Sequence, residues 1–157
     1  VVKTKILIVY DTVSSSRVTE AVAQTIRETL QEKGIEVDSF YVKEVDKATL
    51  KNYDCLLAGA PTMAFRPSTG ITQFFNGITD KFSGKKAAAF DTQIQSRLSG
   101  NAAKGIEKRL RNLEFAIVNP PLVAYVEGKG KNQWQLKTGE QEKAKSWAQE
   151  VAKTLSE

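Results

Sequence analysis

Residues 5–19 read Lys5-Ile6-Leu7-Ile8-Val9-Tyr10-Asp11-Thr12-Val13-Ser14-Ser15-Ser16-Arg17-Val18-Thr19. The run from Ile6 to Tyr10 is apolar without a polar break and rich in β-branched residues. Such a run predicts a strand buried on both faces, as in a parallel sheet. Val18, Val22, Ile26 and Leu30 then recur every fourth residue, which makes one helical stripe, and Gly34 reads as the helix stop. Asp11 to Thr19 therefore links the end of a buried strand to a helix N-terminus. Free N–H groups and the helix dipole attract an anion there.

The same alternation continues outward. Ile35 to Phe40 predicts a second strand, at an edge, and Asp46 a cap for a short helix over Ala48 to Asn52. Asp54 to Ala60 predicts a third strand, ended by Pro61. Ile71, Phe74, Phe75 and Ile78 form the next helical stripe, capped by Ser68 or Thr69. Lys86 to Phe90 predicts a fourth strand. Ser99 is the expected cap of a helix carrying Ala102, Ala103, Ile106, Leu110 and Leu113. Phe115 to Val118 predicts a fifth strand, interrupted by Pro120-Pro121, with Leu122 to Val126 continuing it at an edge. Thr138 and Gln141 match a capping box for a last stripe of Ala144, Trp147, Ala148, Val151 and Leu155.

Strands alternating with helices predict an α/β three-layer, doubly wound sandwich with a parallel sheet. The chain of 157 residues fits a single domain, 1–157. Its 41% hydrophobic content allows a core. No apolar run approaches membrane-spanning length and no signal peptide opens the sequence, so the expectation is a cytoplasmic protein. With no His and one Cys, triad and thiol–imidazole catalysis are excluded within the chain, as are an internal disulfide and a structural zinc or iron–sulfur site. Cys55 reads as a packing thiol. The net charge is +5. The densest basic stretch, Arg97 to Arg111, reads either as a docking face for an acidic partner or as a solvated helix surface. No interleaved aromatics point to nucleic acid.

In sheets of this kind, ligands sit beyond the carboxyl ends of the strands. That rule selects Asp11–Thr19, Pro61–Ser68 and Asp91–Gly100. The first offers hydroxyls at Thr12, Ser14, Ser15, Ser16 and Thr19 to a phosphate, although a simple serine-rich turn has the same composition. The second carries Met63 and Phe65 between restrictive prolines, and either side chain can lie against a ring face. The third offers the amides of Gln93 and Gln95 to a heterocycle edge. Asp91 fits either a ring nitrogen or its own turn. Neither G-x-x-x-x-G-K-[ST] nor G-x-G-x-x-G is present, and the third strand lacks the terminal Asp of a phospho-acceptor domain.

Together these loops resemble the flavodoxin family. Tyr10 to Ser15 looks like the start of its phosphate loop and Gly59-Ala60-Pro61-Thr62 like its second flavin loop. Phe90-Asp91-Thr92 with Ser99 to Leu110 looks like its third loop and following helix. The resemblance implies a five-stranded parallel sheet of order 2-1-3-4-5, FMN bound without a covalent link, and electron transfer between redox partner proteins. It implies that Thr12 and Ser14, Ser15, Ser16 and Arg17 hold the phosphate. It implies that Pro61, Thr62, Met63 and Phe65, with Asp91, Thr92, Gln93 and Gln95, flank the ring. Ser15-Ser16-Arg17 stands where the family usually carries Gly-Asn-Thr, so Arg17 either pairs with a phosphate or fills its place. The third loop lacks the stacking Tyr that many members carry, and Gln95 stands near its place. Flavodoxins are typically acidic and this chain is basic, which implies partners with acidic faces. Two alternatives are an interaction module with a degenerate flavin site and an NAD(P)H-dependent flavin reductase.

Overall fold

The computed structural model describes residues 3–63, 66–96 and 100–157. Strand β1 (Lys5–Tyr10) leads into helix α1 (Val18–Glu32), which ends where Gly34, at φ 80°, returns its N–H to the carbonyl of Gln31. Strand β2 (Glu36–Tyr41) follows, then two 3-10 turns, Val42–Glu44 and Lys47–Asn52. The Asp46 carboxylate caps the second by accepting from Ala48 N–H at 3.0 Å.

Strand β3 (Cys55–Met63) runs past Pro61, which was expected to end it. The reason lies in the neighbouring strand. The Gly59 carbonyl faces β1 and accepts from Asp11 N–H, so the Pro61 nitrogen, two residues on, points to the same side. Pairing with β1 stops at Tyr10↔Gly59, so no ladder bond is lost there. The two-residue strand β4 (Arg66–Pro67) folds back antiparallel, with Met63↔Arg66 in register, and opens helix α2 (Thr69–Asn76).

Strand β5 (Lys86–Ile94) extends four residues beyond the expected Phe90. Its polar end continues in the sheet because it pairs on both sides, with β3 through Thr92 and with a later strand from Phe90 to Ile94. Helix α3 (Ala102–Asn112) is capped by Asn101, whose side chain accepts from Lys104 N–H. Ser99, the expected cap, lies outside the described residues. The fifth strand is split as the two prolines imply: β6 (Ala116–Ile117) pairs the start of β5, and β7 (Leu122–Gly130) pairs its end.

Strand β8 (Gln133–Leu136) then turns back antiparallel on β7 and takes the edge expected for Leu122–Val126. Helix α4 (Glu140–Ser156) starts at Gly139, at φ 89°, without a side-chain cap, so the Thr138/Gln141 capping box does not form. Glu140 instead accepts from Tyr125 N–H at 2.8 Å and ties the helix start to β7.

The sheet order is β2-β1-β3-β5-β7-β8. Its five principal parallel strands follow the expected 2-1-3-4-5. On one face Ile6, Ile8, Leu57 and Phe90 pack against Val22, Ile26, Trp147 and Val151 of α1 and α4. On the other, Leu7, Val9 and Leu56 pack against Ile71, Phe74, Ile106 and Leu110 of α2 and α3. Gly59 admits the Phe90 ring: an added Cβ would lie 2.1 Å from Phe90 Cε2. Burial pushes the Cys55 thiol up to about 12, as fits a packing residue.

Candidate functional site

The carboxyl ends of β1, β3 and β5 bring together three helix N-termini, and their chemistry differs. Asp11, at the end of β1, is buried. Its Oδ1 accepts from Thr12 N–H at 2.9 Å and its Oδ2 from the Ser68 hydroxyl at 2.5 Å. Ser68 thus gives its hydroxyl to Asp11 rather than capping α2. Gly70, in the first turn of α2, leaves room for this carboxylate: an added Cβ would stand 2.4 Å from Oδ2.

Asp91, within the carboxyl-terminal half of β5, reaches the start of α3 directly. Its Oδ2 accepts from Ala103 N–H (3.1 Å), the Thr62 hydroxyl (3.2 Å) and the Gln93 amide (2.8 Å). Thr62 in turn accepts from Ala102 N–H at 3.0 Å. Asp91 is fully buried and is absent from the lining of the neighbouring cavity. Burial pushes its pKa up, against the pull of the Ala103 N–H and the side-chain donors. Its Oδ1 is buried without a partner among the described residues.

Helix α1 has no such acceptor. Its N-terminus carries no side-chain cap, and its first-turn N–H groups cannot bond within the helix. The loop before it closes through Arg17 N–H to the Ser14 carbonyl at 3.1 Å. The left-handed backbone that the missing glycine would favour falls on Arg17, at φ 51°, and not on Ser15 or Ser16. The Arg17 guanidinium turns back onto Glu20, bonding both carboxylate oxygens. Glu20 also accepts from the Tyr10 hydroxyl at 2.9 Å. The Arg17 hydrogen bond holds the Glu20 carboxyl below its usual range. Burial, reinforced by Glu20, pushes the Tyr10 hydroxyl up to about 12.

Beside this open helix end lies a cavity of about 310 Å³. Thr12, Ser14, Thr19, Thr62 and Thr92 line its polar side, with Gln93 near them. Thr19 and Thr92 share a hydrogen bond of 2.7 Å between β5 and α1. Pro61, Met63, Ile94, Val126 and Trp134 supply apolar wall. Val13, Met63 and Ile94 are 54%, 46% and 50% exposed and form an apolar rim. Among the described residues, no lining side chain carries a charge.

Some of the expected residues stand outside this lining. Ser15 is exposed. The Ser16 hydroxyl accepts from Trp134 N–H at 2.9 Å and clasps the β7–β8 hairpin to the loop. Arg17 is held by Glu20 and neither fills nor faces the cavity. Gln95 accepts from the Lys137 ammonium at 2.6 Å, away from the pocket. Phe65 and Arg97 lie outside the described residues. Sequence reading missed Val13, Val18, Ile94, Val126 and above all Trp134, whose hairpin is far from the three loops in sequence. The only signal for Trp134 was a large aromatic in a Lys/Gly-rich turn.

A doubly wound α/β sheet with a hydroxyl-lined, apolar-rimmed cavity at its strand ends defines a class of small-ligand-binding domains. The family model for flavodoxin matches residues 8–147, and the chain belongs to the flavodoxin family. Among solved structures it is similar to oxidised Flavodoxin 2 from Bacillus cereus, at 25% identity over 96% of this chain and 99% of that one, with a TM-score of 0.79. Oxidised Flavodoxin 1 from Bacillus cereus is 21% identical over 96% and 98%, with the same TM-score of 0.79. A flavodoxin from the domain Archaea is 19% identical over 98% and 100%, at 0.78. No curated protein matches the sequence.

Proposed function

We propose that the chain binds FMN in the cavity between α1 and the ends of β3 and β5, and carries electrons between redox partners on it. The observation that carries this reading is the pairing of an uncapped helix N-terminus with an exposed apolar rim around one cavity. Asp91 accepts from a first-turn N–H of α3, and Asp11 stands against the first turn of α2 at Gly70, whereas no side chain caps α1, whose first-turn N–H groups would meet an outside anion. Thr12 and Ser14 add hydroxyl donors on the same side. A planar heterocycle laid between Met63, Ile94 and Trp134 would remove their exposed apolar surface from water. The donor set fits a phosphate at one end and a ring at the other.

Bound FMN supplies the redox chemistry, and the chain's residues bind, orient and tune it. An uncharged lining disfavours negative charge on the ring and works toward a low reduction potential. Glu20 stands in the first turn of α1, where its charge would repel a phosphate. The Arg17 guanidinium neutralises it, and the Arg17 backbone takes the left-handed conformation that a glycine would favour. Fluorescence titration of the apoprotein tests the reading: quenching of FMN, with clearly weaker binding of riboflavin, is the expected result. Equal affinity for both would remove the phosphate role of the α1 end, and no quenching would favour the degenerate-site alternative. No helix among the described residues is long and apolar enough to cross a membrane.

Trp134→Ala should weaken FMN binding by about tenfold, the order of one lost ring contact. Far-ultraviolet circular dichroism should stay unchanged, because the clasp to Ser16 uses the Trp134 backbone. Unaltered affinity would show that Trp134 packs the hairpin and leaves the ring alone.

A further inference from the structure

A second concavity lies on the opposite face of the sheet, between α2 and α3. It has two compartments of about 430 Å³ and 250 Å³ that share Phe75 and Arg109. Ile71, Phe75 and Ile106 form the floor of the larger one, and Arg66, Lys108 and Arg109 stand along it. Lys81 extends the basic lining into the smaller one. Among the described residues, no acidic side chain lines either compartment. α2 contains no acidic residue, and the Glu107 carboxylate of α3 faces Arg111 at 3.9 Å. The cations meet neutral groups: Arg109 donates to the Asn76 amide oxygen at 2.6 Å and Lys81 to the Asn112 carbonyl at 3.0 Å. Lys104 and Arg111 add exposed charge on α3. An apolar floor under unneutralised cations is complementary to a segment with apolar side chains on one side and carboxylates on the other.

We propose that the α2–α3 groove docks an acidic, amphipathic segment of a partner protein. The groove adjoins the cavity where β3 and β4 pair: Met63 lines the cavity and Arg66, its register partner, lines the groove. A segment seated there brings its protein against the exposed rim of the cavity. That this partner exchanges electrons rests on the FMN reading, and the docking does not. Protein is favoured over nucleic acid because Phe75 is buried in the floor and offers no exposed ring on which a base can stack.

Fluorescence anisotropy with the full chain tests the docking. The probes are a labelled helical peptide with leucines on one face and glutamates on the other, the same peptide with glutamines for glutamates, and a mixed-sequence single-stranded oligonucleotide. The glutamate peptide is expected to bind at low salt, to weaken as salt rises, and to bind more tightly than the other two. Arg66→Glu combined with Lys108→Glu should weaken it at least about tenfold. Lys33→Glu combined with Lys153→Glu makes the same charge change near the ends of α1 and α4 and should have little effect. FMN titration of both double variants should be unchanged, which separates a docking defect from loss of the flavin site. The proposal is overturned if the peptide does not bind, if the two double variants weaken it equally, or if the oligonucleotide binds more tightly than the peptide.

Discussion

Gly59→Ala should destabilise the protein by about 3 kcal/mol, the upper part of the range for overpacked cores. The added Cβ would meet three atoms of the Phe90 ring at 2.1–2.3 Å. That ring is fully buried and lies edge-on to Trp147, with centroids 6.3 Å apart, so it is not the free end of a flexible chain. Neither β3 nor β5 can retreat, since each is paired on both sides. For a chain of this length the loss corresponds to a fall in Tm of roughly 6–12 °C. Combining it with Phe90→Leu should cost less than the sum of the two single changes, because the shorter side chain vacates the contested space. Strict additivity in chemical denaturation would mean that the ring is not what Gly59 accommodates.

Asp91→Ala should cost about as much, roughly 3 kcal/mol, because it leaves buried donors at Ala103, Thr62 and Gln93 without their shared acceptor. Asp91→Asn keeps an acceptor and should cost less. The pH dependence gives a sharper test. Burial raises the Asp91 pKa in the folded protein, so above the ordinary carboxylate value of about 4 the native state keeps a proton that the unfolded chain has lost. The stability due to this group is fully present below that value. It falls as pH rises toward the raised pKa, and is flat beyond it. Asp91→Asn has no such group. The wild type's stability relative to this variant should therefore be greatest in acid and decline with rising pH. A relative stability that climbs with pH would mean that the hydrogen bonds to Oδ2 outweigh desolvation.

The arrangement also separates two uses of a helix start that look alike in sequence. α1, α2 and α3 each begin near a strand end with hydroxyl or amide residues close by. Asp11 and Asp91 reach two of these starts across elements, from strands 57 residues before Ser68 and 12 before Ala103. The third, at α1, carries no side-chain cap.

Much of the fold was legible because it depends on local pattern. The unbroken Ile6–Tyr10 run, the four-residue stripe of α1, Gly34 as a stop and the break at Pro120-Pro121 each report their element through periodicity or backbone chemistry. The parallel sheet with helices on both faces followed from the handedness of crossovers, and the strand order from the resemblance to a known family. Polar strand ends were less legible. Asp91-Thr92-Gln93 reads as a loop because buried polar residues are costly alone, and only the structure supplies Thr19, Thr62 and Ala103 as their partners. The same holds for the caps: Thr138 lost its box to a turn at Gly139, and Ser68 gave its hydroxyl to Asp11.

What the sequence alone determined is the layered α/β architecture and the end of the sheet at which the hydroxyl-lined cavity opens, because burial patterns and turn residues act over a few positions. Tertiary structure decided which loop side chains face that site. Ser16 and Gln95 are spent on Trp134 and Lys137, Arg17 on Glu20, and Trp134 arrives from a distant hairpin. These choices are contacts between residues up to 118 positions apart, and no local signal encodes which of several competent partners a hydroxyl or a cation will meet.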